Sequence, residues 1–265
     1  MGMDAAADKK KIELRSSARD PLPLGFNDDV VEIFGDAIGR IERSESFCML
    51  EYDLAELNPS WLPVWETKDC DSALRAAIAD GWLPAERHSA LEIGCGYGYS
   101  SLHLGELGFE RVVGVDLALP AIAQARRLAQ ARGLAARVRF ACYDGYDLPA
   151  PRAPFQLVYD NTLFNNTEVH TRRSIAEYMA MLRRVVAPGG TFILVFARNE
   201  DGDGPFSKTL RGLPTPTLEH IRDCFAPHMH LRGLRLEGIE YDIVELPQRT
   251  RIGHPGGYAV MTPAW

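Results

Sequence analysis

The sequence predicts an α/β fold, a Rossmann-like, doubly wound sheet that is mostly parallel with helices on both faces. From about residue 89 onward, short apolar runs alternate with longer amphipathic runs, and a glycine-rich turn joins the first such pair. The second run, Arg111–Asp116 (RVVGVD), is apolar almost throughout, as in a strand covered on both faces. Strands that alternate with helices form right-handed βαβ units, and these units build a parallel sheet.

Five strands are predicted in chain order, at Ser89–Ile93, Arg111–Asp116, Arg137–Cys142, Phe155–Asp160 and Thr191–Phe196. Helices are predicted over 71–79, from the glycine turn to about 107, from about 120 to 133, and over about 171–186 and 217–225. Pro120 suits a first helical turn, Gly133 suits a C-cap, and the turn signal at 187–190 ends a helix. Two further strands, Gly238–Leu246 and Gly257–Met261, have no helix between them and predict an antiparallel hairpin at the sheet edge.

Length and composition favour one globular domain over residues 1–265, with a helical cap at 1–60 and a core at 61–265. The formal net charge of −7 argues against binding to DNA or RNA, whose phosphates require a basic surface. No apolar run approaches the roughly 20 residues that cross a bilayer, and the first twenty residues lack a secretory signal. The five cysteines form no C-x-x-C pair, which excludes a zinc site of that type and favours the cytoplasm. Nothing in the sequence fixes the oligomeric state.

The segment Glu92-Ile93-Gly94-Cys95-Gly96-Tyr97-Gly98 follows the first predicted strand and opens a helix. It therefore lies at the carboxyl end of a strand, where open α/β sheets bind ligands. Glycines there allow a tight turn and let a ligand approach the backbone closely.

Acidic residues follow the next two strands. Asp116 ends the second strand, where a carboxylate accepts hydrogen bonds from the hydroxyls of an adenosine ribose. Asp144 lies just beyond the third strand and can accept from an adenine amino group, while Gly145 lets the backbone come near. Because neighbouring strand ends line one crevice, the three positions together predict a nucleoside pocket.

Two nucleoside cofactors fit such a pocket in principle. A dinucleotide requires the G-x-G-x-x-G fingerprint and a pyrophosphate at a helix N-terminus, but Tyr99 occupies the last glycine position and Glu92 would repel the phosphates. S-adenosylmethionine (SAM) carries no phosphate and presents an ammonium and a sulfonium cation, which acidic residues favour. We therefore predict SAM as the cofactor and no metal ion.

The motif E-I-G-C-G-Y-G resembles motif I of class I SAM-dependent methyltransferases. The stretch from about Pro63 to Pro227 is similar in more detail to their thiopurine, thiol, halide and tellurite branch. The matching segments are Pro63-Val64-Trp65-Glu66, Ser72-Ala73-Leu74, the glycine loop, Phe155–Asn161 and Leu182–Gly190. The sequence departs from that branch at Lys68 and Cys70, which replace its glycine and proline, and at Asn161-Thr162, which replace a basic residue and glycine.

The resemblance implies a seven-stranded sheet. It also implies that Trp65 flanks the cofactor and that Asp160 and Asn161 lie at the site. The complete predicted cofactor set is Trp65, Glu92, Gly94, Gly96, Gly98, Asp116, Leu117, Asp144, Gly145, Asp160 and Asn161.

The expected activity is methyl transfer from SAM to sulfur, oxygen or nitrogen of a small molecule. Candidate acceptor-binding residues are Trp61, Phe164, Asn165 and Asn166, and candidate bases are His170, Glu66 and Tyr143. No base is unmistakable, which favours an anionic or easily ionised acceptor, because a hydroxyl or amine needs help with its proton. The alternatives are a nicotinamide-dependent oxidoreductase and a SAM-binding protein without catalysis.

Overall fold

The structure, a computed structural model, describes residues 65–166, 174–197, 218–245 and 248–265, together with residues 52, 55 and 63. The strands are β1 (Ser89–Ile93), β2 (Arg111–Asp116), β3 (Val138–Cys142), β4 (Phe155–Asn161), β5 (Val186–Ala197), β6 (Met229–Glu245) and β7 (Gln248–Pro263). The α-helices are α1 (Ser72–Ala79), α2 (Tyr99–Glu106), α3 (Leu119–Ala131), α4 (Leu163–Asn166), α5 (Ile175–Val185) and α6 (Leu218–Phe225). A short 3₁₀ helix spans Gly145–Asp147.

These strands form one seven-stranded sheet in the order β3-β2-β1-β4-β5-β7-β6. Strands β1 to β5 pair in parallel, whereas β7 is antiparallel to both β5 and β6. The predicted α/β fold, mostly parallel with a C-terminal antiparallel hairpin, is confirmed.

Helices cover both faces of the sheet. Buried side chains of α1, α2 and α3 pack on one face, and buried side chains of α5 and α6 pack on the other. Because both faces are covered, the central strands are apolar nearly throughout, and all five residues of β1 are buried. Because the two helix layers cover the faces of the sheet, the predicted ligand site lies at the strand ends.

The helix starts obey local capping rules. Asp71 precedes α1 and its Oδ1 accepts hydrogen bonds from the Ala73 and Leu74 amides at 2.8 and 3.1 Å. Ser174 and Glu177 form a reciprocal capping box at the start of α5. Gly98 precedes α2 with a φ of 76°, a left-handed conformation that favours glycine.

Three predicted strand starts were wrong by several residues. Strand β7 begins at Gln248, nine residues before the predicted Gly257. Strand β6 begins at Met229, nine residues before the predicted Gly238. A Cβ on Gly233 would lie 2.5 Å from the Trp82 ring, so this glycine makes room for an aromatic side chain within the strand. Strand β5 begins at Val186, before the predicted turn at 187–190, and its pairing with β4 is irregular there.

Much of the predicted cap at 1–60 lies outside the described residues, as do the side chains of Trp61, Asn166 and His170. Within the part of the chain that is described, no helix is long and apolar enough to cross a membrane. In the same residues, no group of three or more His, Cys, Asp or Glu side chains is arranged to hold a metal ion.

Candidate functional site

The carboxyl ends of the first four strands meet at one edge of the sheet. Ile93 at the end of β1 pairs with Val115 in β2 and with Asp160 in β4. Asp116 at the end of β2 pairs with Cys142 at the end of β3. The loops that follow these strands therefore open on the same side, as the sequence predicted for a nucleoside pocket.

The glycine loop that follows β1 is held tightly against β2. The amides of Gly94 and Cys95 both donate to the carbonyl of Val115, at 2.8 and 3.0 Å. Gly94 and Gly96 have φ values of 74° and 52°, which non-glycine residues rarely adopt. The loop shape thus depends on glycine at these positions.

Asp116 connects the glycine loop to the start of α3. Its Oδ2 accepts from the Gly96 amide at 2.9 Å, and its Oδ1 accepts from the Ala118 amide at 2.8 Å. Burial raises the pKa of this half-buried carboxyl group, and the backbone donors oppose that rise. Each oxygen has a second lone pair, so ligand hydroxyls can still donate to Asp116. The neighbouring Leu117 is half-buried.

Glu92 lies beneath the glycine loop. The side chain is 1% exposed and accepts a short hydrogen bond from the Ser101 hydroxyl of α2. Burial is the main reason that the pKa of Glu92 is raised to about 8; the nearby carboxylates of Asp71 and Glu66 add to this rise, and the hydrogen bond from Ser101 opposes it. In this position the carboxyl group joins α2 to β1 under the loop.

The raised pKa of Glu92 leads to a pH-dependent stability. Between its ordinary pKa of 4.5 and about 8, the folded protein holds a proton that the unfolded chain has released. The free energy of unfolding therefore falls as the pH rises through this range. We expect Glu92→Gln to remove about 1 kcal/mol per pH unit of this dependence, measured by urea denaturation at pH 5, 6, 7 and 8. Parallel pH profiles for the two proteins would contradict the prediction.

A cluster that includes two tyrosines and a carboxylate covers the glycine loop. The Tyr52 hydroxyl donates to Glu66 Oε1 and accepts from the Trp65 indole at 2.9 Å. Glu66 Oε1 also accepts from the Tyr97 amide at 2.9 Å, and a Cβ on Gly96 would overlap both Glu66 and Tyr52. Glu66, a candidate base by sequence, thus lies on the predicted cofactor loop. Tyr52 was missed, because a lone tyrosine in the cap has no sequence signal.

The loop after β3 approaches the same edge. Asp144 is half-buried, and its Oδ1 accepts from the Tyr146 amide at 2.9 Å, which starts the 3₁₀ helix. A Cβ on Gly145 would lie 2.6 Å from Ile93 and 3.3 Å from Leu163, so glycine allows the strand ends to come together. Tyr143 is 8% exposed, and burial raises its pKa.

Asp160 and Asn161 at the end of β4 occupy different environments. Asp160 is fully buried; its carboxylate accepts from the Leu163 amide at 2.6 Å, the Phe164 amide at 3.1 Å and the Tyr178 hydroxyl. Burial raises the pKa of Asp160 to about 7, against these hydrogen bonds. Asn161 is half-buried, and a Cβ on Gly94 would lie 3.9 Å from its carbonyl oxygen. Of the two residues, we expect Asn161 to face the cofactor and Asp160 to hold the loop.

The loop after β4 also carries two of the candidate acceptor-binding residues. Phe164 is 3% exposed and packs against Tyr178 and Phe225 in the core. Asn165 is half-buried, and its Nδ2 donates to the Ala197 carbonyl at 2.9 Å. Asn165 therefore lies between the ends of β4 and β5.

Comparison with known proteins agrees with this geometry. Residues 90–190 match the family described as "Methyltransferase domain". Over these residues the chain is similar to methyltransferase domains. The match runs from β1 through the turn in the first part of β5, so it includes the glycine loop, Asp116, Asp144 and the loop after β4.

Similar proteins are found among curated proteins and solved structures. Demethylmenaquinone methyltransferase of Thermus thermophilus is 39% identical over 110 residues, 40% of this chain and 45% of the relative. The chain covers less than half the length of the curated relatives it matches. A structure solved in work on the conversion of a disulfide bond into a thioacetal group during echinomycin biosynthesis has a TM-score of 0.67 at 24% identity, covering 82% of this chain and 92% of that one.

Magnesium protoporphyrin IX methyltransferase (ChlM) from Synechocystis PCC 6803, solved with bound SAM, has a TM-score of 0.50 at 16% identity and covers 89% of each chain. The fold of the domain is that of class I methyltransferases. The predicted enzyme class and the predicted cofactor are confirmed for this domain.

The residues around the glycine loop fit SAM. Glu66 and Asp116 place two carboxylates on this loop, and the buried Glu92 lies under it. Residues 89–110, which contain β1, the loop and α2, include no lysine or arginine. A pyrophosphate would meet negative charge without basic partners, whereas an ammonium and a sulfonium are favoured. The donor set therefore suits SAM better than a nicotinamide dinucleotide.

Proposed function

We propose that this protein transfers the methyl group of SAM to a sulfur, oxygen or nitrogen atom of a small molecule. The observation that supports this most directly is the hydrogen bond from the Gly96 amide to Asp116 at 2.9 Å. It joins the glycine loop to the carboxylate expected to bind the ribose, at the edge where the strand ends meet.

The proposed binding roles follow from position. Asp116 accepts from the ribose hydroxyls, Asp144 and the backbone at Gly145 contact the adenine, and Trp65 flanks the cofactor. When bound, SAM supplies a methyl group on a sulfonium leaving group, so the protein has mainly to orient the acceptor and exclude water. The acceptor is proposed to lie against the loop after β4, near Asn161 and Asn165.

We also propose that the protein is related to the branch of thiopurine, thiol, halide and tellurite methyltransferases. One structural feature supports it. Lys68 stands where that branch has a glycine, and its φ of 60° is a left-handed conformation that glycine favours. The backbone at this position thus keeps the shape that the branch's glycine would give, although the side chain differs.

The cofactor part of the proposal is tested by calorimetry. We expect S-adenosylhomocysteine (SAH), the demethylated product of SAM, to bind the purified protein with one site, and NADH to give no binding heat. Binding of NADH without binding of SAH would favour the oxidoreductase. Incubation with radiolabelled SAM and a panel of thiols, phenols, amines and halides then separates an enzyme from a SAM-binding protein without catalysis.

The remaining proposals concern partners and location. We propose a small-molecule acceptor and no nucleic acid, in keeping with the net charge of −7. The cysteines Cys70 and Cys95 are free thiols in the described residues, which supports a reducing compartment such as the cytoplasm.

A further inference from the structure

The side chain of Asn165 lies at the edge of the sheet where the cofactor is proposed to bind. It is on α4, directly after β4, and its Nδ2 donates to the carbonyl of Ala197, the last residue of β5, at 2.9 Å. The preceding residues reach the glycine loop, since a Cβ on Gly94 would lie 3.8 Å from the Cβ of Leu163. Asn165 is therefore close in the fold to the cofactor loop, on its β4 side.

The side-chain amide of Asn165 has two polar groups, and only one of them forms a hydrogen bond among the described residues. The hydrogen bond to the Ala197 carbonyl fixes the NH₂ group on that side, because a carbonyl oxygen can only accept. The other end, Oδ1, is buried and accepts no hydrogen bond among the residues that the structure describes. Buried polar atoms are nearly always paired, and an unpaired one is costly to the folded protein.

The loop that carries Asn165 is held in an unfavourable backbone conformation. Thr162 has a φ of 66°, which is rare for a β-branched residue, and its amide donates to the Val195 carbonyl at 3.2 Å. The buried carboxylate of Asp160 fixes the next turn through the Leu163 and Phe164 amides. Strained backbone and an unpaired polar atom within four residues are typical of a site shaped for a ligand.

We propose that Asn165 Oδ1 accepts a hydrogen bond from the O–H or N–H group of the methyl acceptor. The acceptor class is then an alcohol, phenol or amine, since a thiolate or halide ion has no proton to donate. The acceptor's lone pair forms the bond to the methyl carbon, the C–S electron pair stays on sulfur, and the acceptor's proton passes to water. This inference rests on the proposed function, and it narrows the sequence-based expectation of an anionic or easily ionised acceptor to one that still carries a proton.

Two fragments that differ by one proton donor test the assignment on the SAH-bound protein. Phenol carries an O–H group, and anisole is the same ring with a methyl ether in its place. We expect ligand-observed NMR to show about tenfold tighter binding of phenol, because anisole leaves Oδ1 unpaired. Asn165→Leu, which keeps the branched shape of the side chain, should abolish this preference, while Gln124→Leu on α3 should preserve it.

Equal binding of the two fragments to the natural protein would overturn the assignment, and so would a preference for phenol that persists in Asn165→Leu. Calorimetry with SAH is run on every variant and should agree within twofold. If Asn165→Leu fails to bind SAH, Asn165→Ala takes its place. Failure of the natural protein itself to bind SAH would instead refute the proposed function.

Discussion

Replacing Gly98 with alanine is expected to lower the free energy of unfolding by about 2–4 kcal/mol. Gly98 has a φ of 76°, and a Cβ there would overlap the ring of Phe140. The ring is tightly packed, because a Cβ on Gly114 would also lie 2.6 Å from it. Urea denaturation followed by circular dichroism measures the loss.

Gly81→Ala is the matched control for this prediction. Gly81 has almost the same φ, 79°, but a Cβ there would meet nothing within 4 Å. This variant should lose only the backbone contribution, about 1–2 kcal/mol. Equal losses in both variants would show that contact with Phe140 is unimportant.

Replacing Asp116 with alanine is expected to weaken SAH binding by about 1.5–3 kcal/mol, or about 10- to 150-fold in Kd. The variant loses the charge-assisted hydrogen bonds to the ribose. It also loses the carboxylate that accepts the hydrogen bond from the Gly96 amide. Calorimetry measures the change. Asp116→Asn keeps one oxygen acceptor and should lose less.

Asp223→Ala serves as the control for charge, since Asp223 is an exposed carboxylate on α6 that pairs with Arg222. Its SAH affinity should match that of the natural protein. A folded Asp116→Ala protein with unchanged affinity would remove Asp116 from the cofactor site.

The fold was predictable because the apolar pattern and the turns agree along the core. The predicted limits of β1 and β2 match the structure, and α3 ends two residues before Gly133, whose φ of 69° suits its predicted role. Strand β6 was harder, since it includes exposed leucines at 231, 234 and 236 and a glycine that accommodates Trp82. A strand at the sheet edge whose described residues from 230 to 236 are mostly exposed gives a weak periodic signal.

The candidate site was predictable in location but not in detail. Glycines and acids at strand ends indicate a pocket, because parallel strands bring their carboxyl ends together. The sequence cannot show which acid faces inward. Glu92 is covered by Ser101 on α2, and Asp160 is covered by Tyr178 on α5. These partners are set by how the helices pack on the sheet. The contact of Tyr52 with Glu66 is likewise tertiary, and no local pattern encodes it.

The network of amides around Val115 and Asp116 has a thermodynamic consequence for binding. Gly94, Cys95 and Gly96 are fixed by hydrogen bonds to protein groups, so we expect the loop to keep this shape when the proposed cofactor binds. Such preorganisation spares the conformational entropy that a disordered loop would lose on binding. The heat-capacity change on SAH binding should then reflect the apolar surface that the adenosine covers, with no added contribution from folding of the loop.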